Sequence, residues 1–177
     1  MPRVVLFEPL IPPNTGNVAR TCAATGLDLH LIEPLGFSLS DRQLRRAGLD
    51  YWPLVTLIRH KDAATFLEEQ RQQGGRLLAF SSHATSSYSD VTYQEDDWLM
   101  FGKETDGLSS DLLKAADLRL TIPMPRSGQK IQGGVRSLNL SVAVGVVVFE
   151  TLRQRHLGGQ GMASPFRGPA RLASSGD

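Results

Sequence analysis

The sequence predicts one α/β domain with a mostly parallel sheet covered by helices. Three observations lead there. Short apolar segments of strand length alternate with longer amphipathic segments along the chain. Most strand-like segments are near-continuously apolar, as strands covered on both faces should be. The 177 residues suffice for one compact core, with no internal repeat or domain boundary.

The elements follow in order. RVVLFEP (3–9) reads as a strand. PPNTGNVARTCAATG (12–26) reads as a loop and short helix, capped by Asn14 or Thr15 and ended by Gly26. Val18 and Cys22, with Ala19 and Ala23, give that helix one small apolar face. LHLIEP (29–34) is a second strand. SDRQLRRAG (40–48) has Ser40 and Gln43 in capping-box spacing and a terminal Gly48. LVTLIR (54–59) is a third strand, DAATFLEEQRQQG (62–74) a helix and RLLAFS (76–81) a fourth strand. SSHATSSYSD (81–90) reads as a polar loop. WLMFG (98–102), a short helix in 107–116, and LRLTIP (118–123) come next. The last helix spans roughly 137–155. Residues 1–156 form the expected domain. Residues 157–177 are expected to be a flexible tail, because they offer little to a core.

Composition narrows the function classes. The longest apolar run, VAVGVVVF (142–149), is under half a membrane span. MPRVVLFEP lacks the cleavage region of a signal peptide, so a cytoplasmic protein is expected, with no membrane association. The single cysteine, Cys22, excludes an internal disulfide and a cysteine metal cluster. His30, His60, His83 and His156 are scattered without ligand spacing, so no metal site is expected. The net charge is +1, but residues 61–120 carry six basic and eleven acidic groups, and residues 121–177 seven and two. Such asymmetry steers an anionic partner to one side; unequal solvated surfaces would look the same.

In parallel α/β sheets, ligands bind beyond the carboxyl ends of strands. Four such ends carry suggestive residues: EPLIPPNTGN, SSHAT, FGKETDGL and IPMPRSGQKIQGG. The last three could line one small-molecule pocket, and His83 is the only histidine near it. Gly102 would let a ligand approach the backbone closely, and Glu104 could accept hydrogen bonds from a hydroxyl or amine. A plain strand-to-helix turn explains FGKETDG equally well. No dinucleotide fingerprint or P-loop occurs. RSLNLS (136–141) places Ser137 at a helix start, where its hydroxyl either caps the helix or meets a ligand, with Asn139 and Leu140 in the first turn. Arg20 lies off the apolar stripe and could clamp a phosphate; a salt-bridged surface arginine is the plainer reading. Arg42, Arg45 and Arg46 form either a phosphate-contacting patch or a charged solvent face.

Taken together, LFEPLIPPNTGNVARTCAATGLDLHLIEPLGF (6–37), LRRAGLDYW (44–52), LMFGKETDGL (99–108), IPM (122–124) and RSLNLS (136–141) carry a resemblance over about residues 3–156. The chain resembles the SPOUT superfamily of trefoil-knot methyltransferases. Within it, the chain is similar to the tRNA (cytidine/uridine-34-2′-O)-methyltransferases. The resemblance implies a C-terminal trefoil knot, S-adenosylmethionine as methyl donor, tRNA as substrate and a homodimer whose active site draws on both chains. It implies cofactor contacts at Phe80, Gly102, Ile122 and Ser137, with Met124 and Leu138 as neighbours. It places Arg20 beside the ribose hydroxyl, with Asn14 supporting the loop. Glu104 and Asn139 become candidate cofactor or RNA contacts, and Arg42, Arg45, Arg46, Arg126 and Lys130 candidate RNA contacts.

The chain also departs from the family pattern. Asp106 stands where close relatives usually carry arginine, and Val142 where they usually carry asparagine. The connection after IPM is several residues longer and adds Arg126 and Lys130. Two other readings stay open: 2′-O-methylation at another tRNA or rRNA site, and a knotted RNA-binding protein without catalysis.

Overall fold

The computed structural model describes residues 1–38, 52–124 and 137–157. The expected helix at 40–48, the connection 125–136 and the tail 158–177 lie outside the described residues. So do Arg42, Arg45, Arg46, Arg126 and Lys130.

Among the described residues, seven strands form one sheet: β1 (Arg3–Phe7), β2 (Asp28–Ile32), β3 (Leu57–His60), β4 (Leu77–Phe80), β5 (Ser86–Ser87), β6 (Trp98–Phe101) and β7 (Leu118–Thr121). Their order is β3-β2-β1-β6-β4-β7-β5, and every pairing is parallel. Among the described residues, four helices cover it: α1 (Pro12–Thr25), α2 (Ala63–Gln73), α3 (Ser110–Ala115) and α4 (Leu140–Leu157). This is the predicted α/β layering.

Two-residue alternation divides the core. Val4 and Leu6 face α1 and α4, where Val18, Ala19, Cys22, Val144, Val147 and Val148 bury against the sheet. Val5 and Phe7 face the other way, toward Phe66 of α2 and Leu112 of α3. Both faces of the central strands are therefore dry, which is why their sequences are continuously apolar. Burial also raises the Cys22 thiol pKa to about 12, so it acts as a small core hydrophobe.

The helix ends obey local chemistry. Pro12 and Pro13 open α1, where a missing N–H costs nothing. Neither Asn14 nor Thr15 caps it, contrary to expectation; both lie inside the first turn and are buried. Gly26 closes α1 in the left-handed region at φ 70°, with its N–H on the Cys22 carbonyl. Asp62 caps α2 through Thr65 N, and Ser109 caps α3 through Leu112 N. Two boundaries differ from the sequence reading. The stretch before β3 contains a 3₁₀ turn at Trp52–Leu54, so the strand begins at Leu57. The polar loop contributes Ser86–Ser87 as a short edge strand beside β7. Its hydroxyls hide no periodicity, because an edge strand of two residues buries almost nothing.

The histidines are less scattered in space than in sequence. His30 of β2 and His60 of β3 are both buried, with Nδ1 of His30 2.8 Å from Nε2 of His60. Trp98 and Phe66 pack edge-on against the pair. Glu69 of α2 brings a carboxylate oxygen 3.2 Å from Nδ1 of His60. Burial, then His60 and Arg3, pushes the His30 pKa down to about 3. Burial lowers His60 too, against the opposing pull of Glu69. The unfolded chain binds a proton at His30 below about pH 6.5, while the folded chain resists it until about 3. Stability is therefore unaffected above that window and declines within it by about 1.4 kcal/mol per pH unit at full slope. Urea midpoints measured at pH 7.5 and pH 5 should fall toward acid, and His30→Leu should flatten that slope. An unchanged slope in the variant counts against this cause.

Candidate active site

The carboxyl ends of β6, β4 and β7 lie side by side in the sheet. Above them is a cavity of about 400 Å³, within the size range of small-molecule sites. Phe80 and Phe101 line it with stacked rings whose centroids are 4.7 Å apart. Ile122 and Met124 follow from β7, and Ser137, Leu138 and Asn139 from the approach to α4. Ile11 at the end of the β1–α1 connection and Asn14 in the first turn of α1 close it, from a fourth strand end beyond the three expected. All six residues expected at the cofactor, Phe80, Gly102, Ile122, Met124, Ser137 and Leu138, line this one cavity.

The 102–108 loop is closed backbone on backbone. Lys103 N donates to Gly107 O at 3.2 Å, and Gly107 N donates back at 3.0 Å. Gly107 sits at φ 73°, a conformation that favours glycine. A Cβ on Gly102 would overlap the backbone of Gly107 and Leu108. Gly102 is thus required by the loop itself.

Glu104 does more than the sequence reading gave it. Its carboxylate accepts Leu10 N–H at 2.9 Å, Ile11 N–H at 3.3 Å and Asn14 Nδ2 at 2.9 Å. Asn14 Oδ1 then accepts Asn139 Nδ2 at 2.9 Å. Asn139 Oδ1 accepts Ser141 N–H at 2.9 Å and Ser141 Oγ at 2.8 Å. A carboxylate only accepts, so each amide has one permitted orientation along this chain. The N-cap of α4 is therefore Asn139, and Ser137 is left on the cavity wall. No sequence signal linked these residues, which lie 90 and 125 positions apart.

The rim is ionic. Lys103 Nζ lies 3.0 Å from Glu8 and 4.0 Å from Asp106. Glu8, held at φ 45°, raises the Lys103 pKa through their hydrogen bond. Asp106 is 78% exposed at the loop tip. Val142 is 50% exposed and outside the cavity lining. Arg20 is exposed on α1 and also outside the lining. Six residues separate it from Asn14, about 9 Å of helix rise.

This combination defines an α/β protein with a small-molecule pocket at the carboxyl edge of a parallel sheet, walled by a closed glycine loop and a capped terminal helix. A family profile matches residues 1–149, and the chain belongs to the SpoU rRNA Methylase family. The trefoil knot of the sequence expectation follows from that membership. The tRNA (cytidine(34)-2′-O)-methyltransferase of Escherichia coli is 49% identical over 156 residues, covering 87% of this chain and 94% of its own. A solved structure concerned with 2′-OH methylation of C/U34 on tRNA matches with TM-score 0.80 and 49% identity, covering 88% of this chain and 97% of that one. An AdoMet-bound rRNA methyltransferase from Sinorhizobium meliloti matches with TM-score 0.75 and 25% identity, covering 86% of this chain and 56% of that one.

Proposed function

We propose that this chain is an S-adenosylmethionine-dependent RNA methyltransferase that acts on the ribose 2′-oxygen of tRNA, at wobble nucleotide 34. The observation that carries the reading is the meeting of all six motif-assigned cofactor residues around one cavity. The named activities of the E. coli relative and of the C/U34 structure support the substrate. The AdoMet-bound neighbour supports the cofactor.

The residues present fit such a ligand. Phe80 and Phe101 offer an apolar surface for a nucleoside, and Gly102 lies in the same wall. When bound, the cofactor supplies an electrophilic methyl group on a sulfonium. The protein's share is alignment and electrostatics. Asn14 has both ends of its amide engaged by Glu104 and Asn139, which makes it a positioning residue for the wall. Arg20 holds phosphate and hydroxyl and stabilises the charge developing on the attacking oxygen. An always-protonated guanidinium suits that role better than proton removal.

A homodimer completes the site in this reading. Leu138, Val142 and Phe149 are 37%, 50% and 55% exposed, and the last two continue one side of α4 at helical spacing. A second copy covers such an apolar stripe. Since α1 packs against α4, the same contact brings the partner's α1, with its arginine, toward the cavity. No described helix is long and apolar enough to cross a membrane, and we place the enzyme with its tRNA in the cytoplasm.

Labelled S-adenosylmethionine and total tRNA test this directly. Nuclease digestion and nucleoside mass analysis should reveal a 2′-O-methylated nucleoside that mapping assigns to position 34. A mark elsewhere would move the site. Tight tRNA binding with no transfer would make this an RNA-binding module instead.

A further inference from the structure

Among the described residues, four ionisable side chains line the cavity: His83, Lys103, Glu104 and Asp106. Three are engaged. Glu104 serves Leu10, Ile11 and Asn14. Lys103 sits between Glu8 and Asp106. Asp106 also accepts Thr105 Oγ1 at 3.0 Å. His83 differs. Its backbone N–H donates to Ser81 Oγ at 3.3 Å, and its exposed ring has no hydrogen-bond partner among the described residues.

The topology places this ring well. β4 lies between β6 and β7, so Ser81, Ser82 and His83 leave the sheet at the middle strand of the cavity floor. One side of that exit is the Gly102 loop, and the other is Ile122. The Ser81 oxygen accepts the His83 amide, which leaves its own O–H to donate outward.

S-adenosylmethionine carries two cationic centres, the sulfonium and the ammonium, and one anion, the α-carboxylate. An anion leaving water requires donors, and a cationic donor forms the stronger bond. With Lys103 held by two carboxylates, the His83 ring is the unengaged side-chain N–H donor among these four. We propose that His83, with the hydroxyls of Ser81 and Ser82, binds the carboxylate at the amino-acid end of the cofactor. This rests on the cofactor reading above. His83 is then a recognition residue that separates the complete cofactor from nucleosides lacking the amino-acid end.

Two ligands isolate the contact. S-adenosylhomocysteine keeps the amino-acid end; 5′-methylthioadenosine lacks it. Calorimetric titration of His83→Ala should show about tenfold weaker binding of the first and unchanged binding of the second. His83→Lys, which again places an N–H donor at this position, should recover most of the loss. Equal S-adenosylhomocysteine affinity in wild type and His83→Ala would overturn the proposal. So would a parallel loss for both ligands, which marks a structural role of the turn. A raised KM for tRNA with unchanged S-adenosylhomocysteine affinity would overturn it in favour of an RNA contact. A wild-type chain that binds neither ligand removes the cofactor reading itself, a result distinct from these.

Discussion

Glu104→Gln should inactivate the enzyme although it changes one oxygen to an NH₂ group. The glutamine oxygen can occupy only one of the two carboxylate positions. At that of Oε1 it accepts Ile11 N–H and Asn14 Nδ2, and its NH₂ faces Leu10 N–H, donor against donor; at that of Oε2 it accepts Leu10 N–H, and its NH₂ faces Ile11 N–H and the Asn14 NH₂. Asn14 can turn over, but the Leu10 and Ile11 N–H groups belong to the backbone and cannot. The mismatch therefore ends as an opposed backbone donor at the entrance to α1, beside the cavity. An unsatisfied donor costs about 1–3 kcal/mol, which lowers Tm by roughly 2–12 °C in a domain this size. The catalytic cost is larger, because Ile11 and Asn14 line the cavity; a displacement near 1 Å costs about a hundredfold in rate. Thermal melts and initial rates check it: a wild-type Tm and rate in the variant would show that the hold of Glu104 on the α1 entrance does not matter.

That network also marks the limit of what a sequence shows. Strands and helices were readable because burial on both sheet faces leaves unbroken apolar runs, as in β1, β4 and β6. Helix ends were readable where the signal is local, as at Gly26 and Gly74. The cap of α4 was not. RSLNLS holds three capping side chains, and the choice of Asn139 over Ser137 follows from Asn14, 125 residues away. The pocket residues could be named from motifs, since each lies in a short distinctive stretch. The occupation of Glu104 by the α1 entrance could not, because two adjacent prolines disguise a helix start that takes its carboxylate from another loop. The His30–His60 pair stayed hidden for a similar reason: two neighbouring parallel strands bring it together from 30 residues apart.

Arg20→Ala should reduce methyl transfer by about a thousandfold, the scale of removing a group that stabilises transition-state charge, while S-adenosylhomocysteine still binds. Gly102→Ala should do the reverse of that pattern. Its Cβ overlaps the Gly107–Leu108 backbone, so the wall shifts and cofactor binding is lost. The two inactive variants then answer where the arginine works. In a symmetric dimer with Arg20 reaching the partner's cavity, a mixed dimer has one complete site. The Arg20→Ala chain contributes an intact pocket, and the Gly102→Ala chain contributes the arginine. Random mixing makes half the dimers mixed, each with one working site of two, so activity should return to about a quarter of wild type. If Arg20 instead serves the pocket of its own chain, no mixture contains a complete site and the activity stays at background. Subunit exchange has to be verified, by co-expression with two affinity tags and isolation of the doubly tagged species. Recovery in that species would also explain the geometry seen in one chain. On the proposed dimer, Arg20 lies on the exposed side of α1, outside the cavity lining of its own chain, because the cavity it would serve belongs to the other copy.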